Sequence, residues 1–325
     1  MKKTLGNAAK ILLAIGLIAW LVAKGMFDVS AIQKVLTPLN VIIFILLGTT
    51  STFLASERSR LLLAHQVATY SRFQIFKLSI MGLFFNFAMP GGVGGDVVKG
   101  VYLVKNNSHQ RGTALLALLL DRIIGLYCMV FLAVAVMLAD LEHVLQTPQL
   151  QMIFVFMNAV FAALTIGAAI CFNTKTSKLL HGTLNRIPIL NHPKLHKLID
   201  ALYDYGQNPL LLAKACGLSI LAQSLAIVLF YVVARTLAPD VPLNLCFIVG
   251  PIGFIVTALP ITPGGVGVGQ AAFFYLFELY VKGSGSVGTT GITLHQAIQL
   301  LLGVWGAYYF VRSEKHLIWT LPKDV

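Results

Sequence analysis

The chain has 325 residues, of which 57% are hydrophobic and only 11% charged, with a mean hydropathy of +0.82. A water-soluble domain has no use for so much apolar surface, so the balance points to a membrane protein. The net charge of +12 does not indicate nucleic acid, because the Lys and Arg lie between apolar segments rather than along one face interleaved with aromatics.

Met1-Lys2-Lys3 and the apolar run from Ile11 to Val22 read as a retained first span. Crossing a hydrocarbon core of about 30 Å takes roughly 20 helical residues. Stretches of that character fall at approximately 9–27, 39–56, 112–139, 151–172, 210–235 and 291–311. Two more, 78–105 and 243–281, are apolar on both sides of a Gly/Pro break and predict re-entrant or broken helical hairpins. Residues 173–208 carry basic residues with leucines at partly helical spacing. They read either as amphipathic segments on the inner leaflet or as an ordinary basic loop, and Leu61 to Phe76 is a weaker case of the same kind.

Placing the N-terminus inside leaves only Lys24, Lys34, Arg235 and Lys282 on the outer side, which puts both termini in the cytoplasm. Hairpin 78–105 is then flanked by inner basic residues and hairpin 243–281 by outer loops, so the two enter from opposite faces. The order of span, span, hairpin, span occurs twice, and an odd number of spans inverts the second copy. The fold expected is an all-α polytopic membrane protein of six spanning helices plus two hairpins. It forms a single transmembrane domain over 1–325, with inverted halves at approximately 1–140 and 151–312. Paired broken segments at matching positions of inverted halves are a pointer to a midplane binding site.

The breaks themselves carry the chemistry. Pro90-Gly91-Gly92-Val93-Gly94 recurs letter for letter as Pro263-Gly264-Gly265-Val266-Gly267. Irregular backbone at membrane depth is tolerated only where protein or a polar cavity surrounds it. Glycines there allow close approach, and a helix starting near Gly94 or Gly95 presents N–H groups that attract anions, phosphate especially. Asp96 lies in that first turn, with Lys99 three residues on along the same face. They read as a helix cap with a local ion pair, or as an orienting carboxylate and a phosphate-binding cation. Gly-Lys-Ser/Thr is absent, which argues against a nucleotide site.

Asp121-Arg122 lies inside an apolar run at the depth of the expected tips. Ionisable groups there cost about 2.5 to 3.5 kcal/mol each and are functional candidates by default. The second tip, running from Leu259 to Gln270, lacks an acid but offers the Gln270 amide. Asn86, Thr257 and Thr262 add hydrogen-bonding groups near the tips. The four cysteines stand singly and read as packing residues, and the histidines show no metal spacing.

At these residues the chain resembles the lysylphosphatidylglycerol synthase transmembrane-region family, also called the flippase-like integral membrane family, from the first span to about Tyr309. The resemblance is carried by Pro90-Gly91-Gly92-Val93-Gly94-Gly95-Asp96, by Asp121-Arg122, and by Pro260 with Pro263 to Gly267. It implies an inner-membrane protein that handles lipid, in some members moving an aminoacylated phospholipid between leaflets, in others linked to isoprenoid-phosphate or envelope-glycan pathways. The family usually shows Arg where this chain has Lys99 and Glu where it has Gln270, which weakens bidentate phosphate recognition and any proton coupling at the second site. No aminoacyl transferase domain follows before Val325, so synthase activity is not expected.

The reading that results is a flippase-like protein that binds and translocates an anionic lipid, a phospholipid or an isoprenoid phosphate, for envelope biogenesis. Lys99 and Arg122 bind phosphate, and Asp96 and Asp121 orient those cations or exchange protons. Asn86, Pro90, Gly91, Gly92, Gly94, Gly95, Pro260, Pro263, Gly264, Gly265, Gly267 and Gln270 line the site. No catalytic residue, metal or cofactor is expected. The partners expected are anionic membrane lipids, together with envelope-glycan or lipid-modifying enzymes. Two other readings stand beside it. One is a membrane enzyme acting on a lipid phosphate with Asp96 or Asp121 as general base; the other is a non-catalytic scaffold of an envelope-glycan pathway.

Overall fold

Three of the long helices start on a Thr-Pro or Asn-Pro step, where the proline ring removes an N–H that would have no partner in the first turn. They are α1 (Pro38–Gln66), α6 (Pro148–Phe172) and α8 (Pro209–Leu237). Thr37 adds a side-chain cap to α1, accepting the Asn40 N–H at 3.3 Å. The remaining helices are α2 (Arg72–Ala88), α3 (Gly94–Asn106), α4 (Arg111–Ala139), α5 (Leu141–Gln146), α7 (Pro193–Gly206), α9 (Leu243–Thr257), α10 (Val268–Tyr280) and α11 (Gly285–Ser313). The computed structural model describes residues 33–88, 94–107, 109–173, 175–176, 193–259 and 261–313, and among them there is no strand. The expected first span at 9–27, the candidates Pro90, Gly91 and Gly92 of the first turn, and Pro260 of the second lie outside these residues.

Among the described residues four helices, α1, α4, α6 and α8, are long and apolar enough to cross a membrane. α11 matches α1, α4 and α8 in length at 29 residues, but Thr293, His295, Gln296 and Gln299 interrupt its apolar character. The expected span at 39–56 is too short: α1 continues to Gln66, so Arg58 and Arg60 are helix residues rather than loop cations. For the same reason Leu61 to Phe76 is no separate amphipathic segment; its ends belong to α1 and α2. Over 193–206 the basic region is helical. α7 docks against the ends of its neighbours, with the buried Tyr205 hydroxyl donating to the Leu62 carbonyl at 2.7 Å.

α1 and α8 form the central pair and run antiparallel. Ser51 Oγ donates to the Ala222 carbonyl at 2.7 Å and Arg58 reaches Ser219, while Val35 and Phe44 pack with Leu229 and Val233 at the other end. α2 follows the end of α1 that lies beside the start of α8, and α9 follows the opposite end. The two hairpins, α2–α3 and α9–α10, therefore start from opposite ends of this pair. Their arms, 13 to 17 residues long, reach about 20 to 26 Å at 1.5 Å per residue, well into a 30 Å slab.

Glycines let the remaining backbones meet. A methyl group on Gly95 would stand 2.7 Å from the Gly82 carbonyl, so α2 and α3 touch backbone to backbone. Methyls on Gly303 and Gly306 would meet the backbone of Phe84 and Ile80 at 2.8 and 2.2 Å, so α11 lies directly on α2. α4 packs on α9 as α11 packs on α2. Outward faces are apolar, with Leu39, Ile42, Met152, Phe156, Leu301 and Trp305 all exposed, as suits surfaces bathed in lipid.

Candidate functional site

One cavity of about 250 Å³ is bordered by both hairpins and by the spans between them. α2 contributes Asn86 and Phe87, the second hairpin Phe254, Thr257 and Gly264, α4 Arg122, and α11 His295, Gln296 and Gln299. The second turn is in contact with the first hairpin, since a methyl on Gly264 would stand 2.7 Å from the Phe87 ring. Gly264 and Gly265 have φ of +58 and +70, a backbone open only to glycine at low cost, and the Cβ position of Gly265 lies 2.2 Å from the Thr257 carbonyl. Here the second copy of the Pro-Gly-Gly sequence is dictated by geometry.

The charges sort into two pairs. Asp121 is buried and accepts from Arg58 Nε at 2.7 Å, and a second guanidinium nitrogen of Arg58 donates to Ser219 Oγ at 2.7 Å. Gly125 leaves room for that guanidinium, whose nitrogen would stand 3.1 Å from a methyl there. Gln223 completes the network, donating to the Gly125 carbonyl at 2.8 Å and to Ser219 Oγ at 3.1 Å. This pair ties α1, α4 and α8 together and does not face the cavity. Adjacent Arg122 points elsewhere, as successive helix residues must, and pairs with Asp96 at 2.6 Å. Its side chain is 54% exposed, so most of its donors remain open. Lys99 is within electrostatic reach of Asp121, Arg122, Asp96 and Arg58. Among the described residues no carboxylate lies within ion-pairing distance of its ammonium. Three basic side chains thus stand near two carboxylates, and only the two arginines are paired with them.

The two hairpin starts differ in what holds them. Gly95 donates its N–H to Asn86 Oδ1 at 2.7 Å, so that donor is spent within the hairpin rather than offered to a ligand. Gln270 is buried and fully engaged: Oε1 accepts the Gly267 N–H at 2.6 Å, and Nε2 donates to Gln296 Oε1 at 2.8 Å and Thr293 Oγ1 at 3.2 Å. Gln270 therefore anchors α10 to α11 and does not border the cavity, nor does Lys99 or Asp121. Pro263, Gly265 and Gly267 shape the turn, while Gly94 and Gly95 are buried at the start of α3.

Residues that sequence reasoning passed over lie on α11. Gln296 donates to the Gly264 carbonyl at 3.1 Å, and His295 lies against Gln299 at 2.9 Å with its Nδ1 unpartnered among the described residues. The signal was visible: Thr293, Gln296 and Gln299, with His295, recur at helical spacing inside an apolar run. Asp140 is a fastener at the base of the second hairpin, bonded to Tyr280 Oη and, at 2.9 Å, to Asn244 Nδ2. Glu278 accepts the N–H groups of Gly283 and Gly285 at 2.9 and 3.2 Å, where α11 starts. No group of His, Cys, Asp and Glu among the described residues is suited to hold a metal ion.

The model of the family described as lysylphosphatidylglycerol synthase TM region matches residues 7–306. No curated protein and no solved structure matches the chain.

Proposed function

The chain belongs to the lysylphosphatidylglycerol synthase transmembrane-region family, and on that premise we propose that its cavity takes the phosphate of an anionic membrane lipid and that the protein carries such lipids between leaflets. Membership and the four apolar helices make it a multi-pass membrane protein of a family tied to membrane lipids. The observation that carries the finer reading is Arg122: a half-exposed guanidinium bordering a cavity that hairpins from opposite ends enclose. A guanidinium with open donors suits phosphate oxygens, and in a low-dielectric site the attraction is stronger than in water.

The exchange of partners, α4 on the second hairpin and α11 on the first, supports treating 1–140 and 151–312 as inverted halves. Rocking one half against the other about the cavity then alternates access. The distribution of basic residues favours cytoplasmic termini, and the family an inner-membrane location. An enzymatic role for Asp96 or Asp121 has less support, because each carboxylate is held by an arginine. The test is leaflet-specific labelling of a fluorescent anionic phospholipid in reconstituted vesicles. Wild type accelerates transfer and Arg122→Ala slows it; equal rates for wild type, variant and protein-free vesicles remove the reading.

A further inference from the structure

A cavity of about 250 Å³ has room for a phosphate headgroup but not for the hydrocarbon chain attached to it. Among the described residues, a place for that chain adjoins the headgroup site. A groove of about 450 Å³ runs between α3 and α4, and Arg122 borders it as well as the cavity. We propose that this groove seats the hydrocarbon chain of the lipid whose phosphate lies at Arg122, an assignment that rests on the function proposed above.

The stripe is regular. Val97, Val101 and Val104 recur at helical spacing on α3, and Leu115, Leu119 and Arg122 do so on α4. The helices run antiparallel, with Asp96 against Arg122 at one end and Val104 near Leu115 at the other. The groove wall is therefore apolar along about 10 Å, with the Asp96–Arg122 pair closing one end. Exposure alone would say nothing, since α6 is equally apolar outside. The hollow and its ionic end set this face apart.

Gly100 makes the hollow. A methyl placed there would find nothing closer than Leu115 Cδ2 at 3.5 Å, an ordinary contact, so packing does not require glycine. Glycine weakens a helix relative to alanine, and the absent side chain here leaves space at the floor of the groove.

The experiment uses the full chain in nanodiscs of zwitterionic lipid containing a small fraction of an anionic phospholipid with a diazirine midway along one acyl chain. Adducts are mapped by mass spectrometry after illumination. Wild type is expected to concentrate adducts on residues 97–104 and 115–119. Gly100→Leu, which fills the floor, lowers them several-fold. Gly167→Leu on α6, where nothing lies within 4 Å, leaves them unchanged. Should Gly100→Leu fail to melt cooperatively, Leu119→Trp at a lipid-facing position fills the same groove and gives the same fall. Adducts spread evenly over α1, α4 and α6, and indifferent to both filling variants, overturn the assignment. If Arg122→Ala still stops lipid transfer in that case, only the groove is lost; if Arg122→Ala changes nothing, the headgroup reading fails and takes the groove with it.

Discussion

The two hairpins begin their second arms with the same five residues and end with opposite characters. At the first, α3 carries Asp96 and Lys99, pairs with Arg122, and leaves a lipid-facing hollow against α4. At the second, α10 carries neutral Gln270 and lies tightly on α11, where a methyl on Gly288 would stand 2.4 Å from the Phe273 carbonyl. The repeated sequence thus sets only the turn. What each turn does depends on the helix that receives it, an arginine in one case and a row of amides in the other.

Each side also has a fastener, and the comparison predicts their ranking. Arg58 and Asp121 have side chains only 10% and 8% exposed. Removing one member strands the other charge, so Arg58→Leu should cost about 3 to 5 kcal/mol. The double variant with Asp121→Leu should recover most of that. Gln270→Leu leaves neutral amides unsatisfied and should cost about 1 to 3 kcal/mol. Thermal unfolding in detergent measures both; a Gln270 variant less stable than the Arg58 variant would break the contrast.

Backbone geometry separates the hairpins next. Gly265→Ala forces a side chain into a left-handed backbone, about 1 to 3 kcal/mol of strain, and against the Thr257 carbonyl as well. Gly95→Ala keeps a helical backbone and meets Gly82 and Asn86 at 2.7 Å, an overpacking cost of about 1 to 3 kcal/mol alone. The second turn should be the less tolerant. Equal melting temperatures for the two variants would mean that both turns are held alike.

Much of this layout was legible in the sequence. Runs at 112–139, 151–172 and 210–235 correspond to α4, α6 and α8 within three residues at either end. Periodicity and proline starts are local signals, and no distant contact was needed to read them. The end of α1 was not legible, because Glu57-Arg58-Ser59-Arg60 looks like a polar boundary until Asp121, 63 positions later, neutralises Arg58. The partner of Asp121 was missed for the same reason: pairing is tertiary. His295, Gln296 and Gln299 escaped notice differently. Averaged over the span they vanish among leucines, and only the angular spacing shows that they share one face.

The smallest stability effect bears most on what the charged hairpin is for. Asp96 and Arg122 are 27% and 54% exposed at their side chains, so the pair contributes within about 1 kcal/mol, and Asp96→Asn should melt close to wild type. Its effect on ligand should be larger than on fold. The Asp96 carboxylate occupies one donor of Arg122 and repels an incoming phosphate. Removing its charge leaves that donor open and takes away the repulsion. Retention of an anionic phospholipid by Asp96→Asn in nanodiscs should therefore exceed wild type. If Asp96→Asn instead weakens retention as much as Arg122→Ala does, the carboxylate acts by aiming the guanidinium rather than by competing for it. The first hairpin would then be a rigid receptor like the second, not the open partner of a sealed one.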